Sequence, residues 1–261
     1  MKILAAAVAS LLIVAYPAQA QEANTMQSLK TSPSREDLRS VAPALDKYTQ
    51  GRLLGDVWTR PGLGPRDRSI ITLAALIARN QTIEMPFYLN VALDSGVKPR
   101  EISELITHLA FYSGWSNAMS AVAVAKNVFA ERKIGPDQLP AVSGPLLPLD
   151  EKAEAQRAER VGEQFGATFP GVVQYTTDVL FRDLWLRPDL APRDRSLVTI
   201  SALIASGQVA QLGGHLNIGM NNGLAQPEIV EAMTHLAFYV GWPNVFSAMP
   251  IAKDAFDKRP R

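Results

Sequence analysis

Apolar residues recur at spacings of three and four along most of the chain and never alternate with period two for long, so helices are predicted and strands are not. Ser34 can cap a first amphipathic helix that runs through Leu38, Val41, Leu45 and Tyr48. Pro65 suits a first helical turn and Asp67 lies near its positive end, which predicts a helix from Pro65 to Arg79. Its interior, Ile70 to Ala78, is almost wholly apolar and should be buried. The next helix, Gln81 to Ser95, stops at Gly96, and a later counterpart, Gln208 to Asn222, stops at Gly223, glycine being a natural left-handed cap. Pro99 and Glu101 open a helix that carries His108 and Tyr112 on one face and ends near Gly114, and Trp115 to Arg132 reads as a further amphipathic helix. Ile134 to Asp150 holds Pro136, Pro140, Pro145 and Pro148 and reads as an extended linker. The charged, alanine-rich stretch Glu151 to Phe165, followed by Val172 to Leu184, should replace the leading helix.

The pattern then repeats. Trp58 to Phe129 recurs as Trp185 to Phe256 at a constant offset of 127, without a gap and with about half the positions identical. Thr107 to Trp115 returns as Thr234 to Trp242, and Arg66-Asp67-Arg68-Ser69 returns as Arg193-Asp194-Arg195-Ser196. Two copies of this length suggest a fused dimer of small all-α modules, 21–133 and 151–261, joined by the linker 134–150.

The beginning of the chain departs from this pattern. One charge, Lys2, precedes an apolar run from Ile3 to Tyr16 and the sequence Ala18-Gln19-Ala20, the form of a secretory signal peptide cleaved after Ala20. That run is shorter than the roughly 20 residues a spanning helix needs. No later run is long enough either, so the expectation is a soluble periplasmic or secreted protein with no membrane partner after cleavage. Removing Lys2 takes the formal charge from +1 to zero, and nothing in the charge pattern points to nucleic acid. The chain has no cysteine, which excludes disulfides, thiolate nucleophiles and cysteine metal sites together.

The three histidines, His108, His215 and His235, all lie inside the repeats. His108 and His235 are flanked by apolar residues and read either as hydrogen-bonded packing residues or as part of a substrate site. Glu104 and Glu231, one helical turn earlier, are placed to pair with them and to raise their pKa. His215 differs, because its counterpart in the first copy is Tyr88. Gln211 with His215, and Glu84 with Tyr88, share a helical face, and Asn217 and Asn90 follow in each copy. An amide, an imidazole, a carboxylate and a phenol together form an inventory for proton transfer and oxyanion stabilisation. Arg66, Arg68, Arg193 and Arg195 either pair with Asp67, Asp194 and helix ends, or offer one fork per copy to a substrate carboxylate. Trp115 and Trp242 read as packing anchors of the core or of a subunit contact. Neither an HExxH pair nor a Gly-x-Ser-x-Gly elbow occurs, so neither a metal site nor a serine hydrolase is expected.

Three blocks in order, Pro192 to Ser196, Gln211 to Asn217 and Thr234 to Trp242, each with a first-copy counterpart, resemble the carboxymuconolactone decarboxylase family of the alkylhydroperoxidase D-like superfamily. The resemblance implies an all-helical fold in which two modules pack as a dimer, here within one chain, and a larger homo-oligomer, such as a trimer of tandem chains. In the peroxidase branch the helix carries two cysteines, and here those positions hold Gln208 and Gln211, or Gln81 and Glu84. The glutamate of that branch falls on Ser196 and Ser69. Thiol peroxidase chemistry therefore has no nucleophile. The decarboxylase branch implies a small-molecule substrate and no cofactor. His215 would supply a proton, Gln211 and Asn217 would steady the oxyanion, Arg193 or Arg195 would hold a carboxylate, and Glu84 would reach in from the other copy. A lyase or isomerase of small carboxylated lactones and a non-catalytic, ligand-binding helical oligomer both fit. Export sits uneasily with the reaction in the family's name, which belongs to cytoplasmic catabolism of aromatic acids.

Overall fold

A computed structural model describes residues 32–259. The expected leader, 1–20, lies outside them. Arg35–Val41 (α1) and Pro43–Tyr48 (α2) come first, the latter continued by a π turn over Thr49–Leu54. The first copy is then Pro65–Ala78 (α3), Met85–Asp94 (α4), Pro99–Ser113 (α5) and Trp115–Glu131 (α6). After the linker come Glu151–Phe165 (α7) and Pro170–Tyr175 (α8), with a second π turn over Thr176–Phe181. Pro192–Ala205 (α9), Val209–Asn221 (α10), Gln226–Val240 (α11) and Trp242–Asp257 (α12) complete the second copy. No strand occurs among the described residues, and none of their helices is long and apolar enough to cross a membrane.

The two most apolar helices lie at the centre. Every residue from Arg68 to Ala78 in α3 and from Asp194 to Ala205 in α9 is buried, and the two helices pack on each other. Burying each of their Ile and Leu side chains contributes roughly 1.5–3 kcal/mol. Each central helix also packs on the histidine-bearing helix of the other copy, α3 on α11 and α9 on α5. Positive φ at Gly114 and Gly241, +94° and +85°, turns each histidine helix sharply into the next, a backbone region where glycine is favoured.

Two predicted helices differ. The leading helix breaks at Ala42 because Pro43 has no N–H and starts a new one. The helix expected from Gln81 begins at Met85, which keeps Pro86 in the first turn; in the second copy Gly213 takes that position and the helix starts at Val209. The linker 134–150 is extended apart from one short turn at Pro136–Gln138, and it lies against the second copy, where Leu147 N–H donates to the Leu186 carbonyl and Arg187 donates to the Ala141 and Val142 carbonyls.

Candidate active site between the copies

Because α5 faces α9 and α11 faces α3, the polar groups inside the molecule bond across the copies. His108 of α5 meets Thr199 of α9 at 2.7 Å, and His235 of α11 meets Thr72 of α3 at 2.8 Å. Each threonine hydroxyl donates to a carbonyl of its own helix, so in both pairs the imidazole Nε2–H is the donor. Both histidines are fully buried. Burial, with the Arg195 charge and then His215 adding to it, holds His108 well below its ordinary pKa. Burial, reinforced by Arg68, pushes His235 down to about 3.

The expected pairing of Glu104 and Glu231 with these histidines does not form. Glu104 accepts from Arg195 at 2.5 Å and from Arg187 at 2.6 Å, while Glu231 accepts from Arg68 and from Arg60, both at 2.9 Å. The guanidiniums outcompete a neutral imidazole, so the histidine pKa values move down rather than up. For Glu104, burial alone would raise the carboxyl, but the two arginines outweigh it and hold it low.

Arg195 is thereby committed inside the fold. Arg193 is committed as well, to Asp67 and Glu228 at 2.7 Å and to Asp194 at 2.9 Å; its counterpart Arg66 takes Glu101 and Asp194. The arginine motif therefore clamps the two copies together.

Two aromatic clusters sit at equivalent places. In one, the Trp58 indole donates to the Tyr239 hydroxyl at 2.8 Å, and that hydroxyl donates to Tyr88 at 2.9 Å. Burial first, then Tyr239 and Glu84, raises the Tyr88 phenol, so it stays protonated. Glu84, exposed at the start of α4, thus belongs to this cluster and not to the one around His215.

In the other cluster the Trp185 indole donates to the Tyr112 hydroxyl at 2.8 Å, and His215 stands where Tyr88 stands in the first. The imidazole meets Tyr112 edge-on at 5.3 Å between ring centroids and stacks on Trp185 at 6.1 Å. Its Nδ1 is buried without a partner, although the residue as a whole is only half-buried. Burial pushes the His215 pKa down to about 4, so the ring is neutral at pH 7. Burial likewise raises the Tyr112 phenol, and among the described residues no acceptor takes its proton. In the first cluster the relay of donors ends on the Tyr88 O–H, for which no acceptor is found among the described residues. The second ends likewise on the Tyr112 O–H, and differs in adding an imidazole whose Nδ1 has no partner.

A cleft of about 410 Å³ opens beside Trp185, walled also by Phe181, Ile218, Asn222 and by Arg157 and Arg160 of α7. Gln211, a turn before His215, is exposed. Asn217 is exposed too and spends one amide N–H on the Gly213 carbonyl of its own helix. Tyr112 and Trp185 were not among the sequence candidates. Both are identical in the two copies, so the asymmetry that singled out His215 passes over them.

Trp115 and Trp242 are not core residues: they are 62% and 52% exposed. Each packs on the aromatic ring one turn earlier, Phe111 and Phe238. Among the described residues no group of His, Asp and Glu is arranged to hold a metal ion.

The fold and the crossed sites define a covalent pseudo-dimer of one helical module. The chain belongs to the carboxymuconolactone decarboxylase family, whose profile matches residues 43–127 and again 170–254. It is 35% identical over 106 residues to a 4-carboxymuconolactone decarboxylase of Acinetobacter baylyi, 41% of this chain and 79% of that protein. It is also 35% identical over 86 residues to the nitrosuccinic acid decarboxylase npaB of Metarhizium robertsii, 33% of this chain and 59% of that one. The crystal structure of a proposed gamma-carboxymuconolactone decarboxylase subunit from Burkholderia xenovorans LB400 aligns over 94% of this chain and 98% of its own, at 18% identity and a TM-score of 0.48.

Proposed function

We propose that the protein is a carboxy-lyase acting on a small carboxylated lactone or related unsaturated acid, with the working site at His215. The observation that carries this reading is the unpartnered His215 imidazole, which replaces the phenol of the matched cluster and packs on Tyr112 and on Trp185, the latter a wall of an accessible cleft. In the reaction the bond to the departing carboxylate breaks and its electron pair passes into the conjugated carbonyl. Carbon dioxide leaves, and one proton returns to carbon. Tyr112 donates to the oxygen on which charge develops. His215 begins neutral, but negative charge appearing beside it raises its affinity for a proton, so it takes one from solvent and passes it on. Tyr112 thus takes the part first assigned to Gln211 and Asn217, and His215 keeps its own.

The test is an ultraviolet and mass-spectrometric assay with carboxymuconolactone and related carboxylated lactones. His215→Ala should cost about 10²–10⁴-fold in turnover, the range of general acid–base catalysis, while His108→Ala leaves most of the turnover per folded molecule. Equal losses, or binding without turnover in the intact protein, would overturn the assignment.

Two further elements belong to this reading. The exposed rows Phe111, Trp115, Met119 and Phe238, Trp242, Phe246 on matching faces support a homo-oligomer, proposed as three tandem chains. Export with cleavage after Ala20 is proposed from the leader pattern and is checked by sequencing the mature N-terminus.

A further inference from the structure

Helix α7 lies between the two matched family segments, so neither the repeat nor the family pattern accounts for its residues. It nonetheless walls the cleft. Arg157 donates to Glu154 through Nε and Nη2, both at 2.7 Å, and to Thr177 at 2.9 Å, and its guanidinium lies 4.4 Å over the Phe181 ring. Phe181 stacks on Trp185, and Trp185 stacks on His215. The remaining nitrogen, Nη1, is buried without a partner. Arg160, three residues on and therefore on the same helical face, is exposed into the cleft, and among the described residues no carboxylate pairs with it.

A buried guanidinium with one fork tine unused is short of one acceptor. A second cation beside it sets the sign of that acceptor. We propose that Arg157 and Arg160 form a carboxylate-recognition subsite that serves the His215 cluster alone. The proposal rests on the carboxy-lyase reading for its substrate. The carboxylate held there is the one the product retains. Pairing a guanidinium with the departing carboxylate would stabilise the charge that the reaction must move, and so would slow it. The ligand class is therefore an acid with a second carboxylate: one is anchored at α7 and the other is lost near Tyr112 and His215. Arg157, held by Glu154 and Thr177, supplies direction, and Arg160 supplies charge.

The test measures binding rather than turnover, using 5-oxotetrahydrofuran-2-carboxylate and its uncharged methyl ester, titrated calorimetrically into the full chain. The intact protein should bind the carboxylate about tenfold or more tightly than the ester, the range for a charge-assisted hydrogen bond. Arg157→Gln should abolish that preference while leaving ester binding in place, Arg157→Lys should keep part of it, and Arg160→Gln should weaken it. Glu154→Gln combined with Arg157→Gln leaves no orphaned charge, and it should lose the preference as well if the single variant fails to fold. His215→Ala should retain the preference, which separates this subsite from the catalytic assignment: an inert protein that still discriminates carboxylate from ester supports the subsite and defeats only the lyase reading. A preference that survives in the double variant, or no preference in the intact protein, overturns the proposal.

Discussion

At the scale of single residues, burial decides the charge of the three histidines, and that has a measurable sign. All three have folded pKa values below the ordinary imidazole value of 6.5, His215 at about 4 and His235 at about 3. Between pH 6.5 and 4 the unfolded chain takes up protons that the folded one refuses, so stability falls as pH falls through that window. Each histidine contributes a slope of up to about 1.4 kcal/mol per pH unit. Urea midpoints at pH 7, 6 and 5 should therefore drop progressively, and His108→Gln should flatten the drop; a midpoint unchanged from pH 7 to 5 would contradict neutral burial. Activity has the matching signature. If His215 works from its neutral form, the acid limb of kcat/KM lies near pH 4 rather than near 6.5. The sequence pointed to His215 because the copies differ there. It could not show that His108 and His235 are buried on threonines, since their partners Thr199 and Thr72 lie in the other copy, far away along the chain.

At the scale of elements, the helices were largely legible because their signals are local. The Asp150 cap and the run to Phe165 mark α7, and the glycines at 96, 114, 223 and 241 mark helix ends with positive φ. What periodicity cannot weigh is proline's missing donor inside an apolar run, hence the break before Pro43 and the late start of α4. Contacts between elements were less legible still. The arginine motif reads equally well as a ligand fork or as a clamp, and only the packing of α5 on α9 shows that Glu104 closes on Arg195 and Arg187. That clamp makes a large stability prediction. Glu104→Gln leaves Arg195, wholly buried, without its counter-charge and should cost about 3–5 kcal/mol in chemical denaturation. Asp94→Asn, which breaks an ion pair to Arg132 whose carboxylate is well exposed, should cost less than about 1 kcal/mol.

At the scale of the whole molecule, the surface carries a prediction of its own. The aromatic rows on α5 and α6 and on α11 and α12 are continuous apolar faces in the single chain, and the groove between α11 and α12 encloses about 530 Å³. Covering them by other copies gives the proposed oligomer, so light scattering should find a multiple of the chain mass, and Trp242→Glu with Phe246→Glu should shift it toward one chain without loss of helical circular dichroism. The joining of the two modules has a different kind of consequence. In a dimer of identical chains every substitution is made twice, so a residue that improves one site must be tolerated in the other. Here each site borrows from both halves, yet Tyr88 and His215 are written at separate places in one gene. Fusion thus released the twin positions from identical inheritance, and one site could hold a pair of phenols while the other holds an unpartnered imidazole.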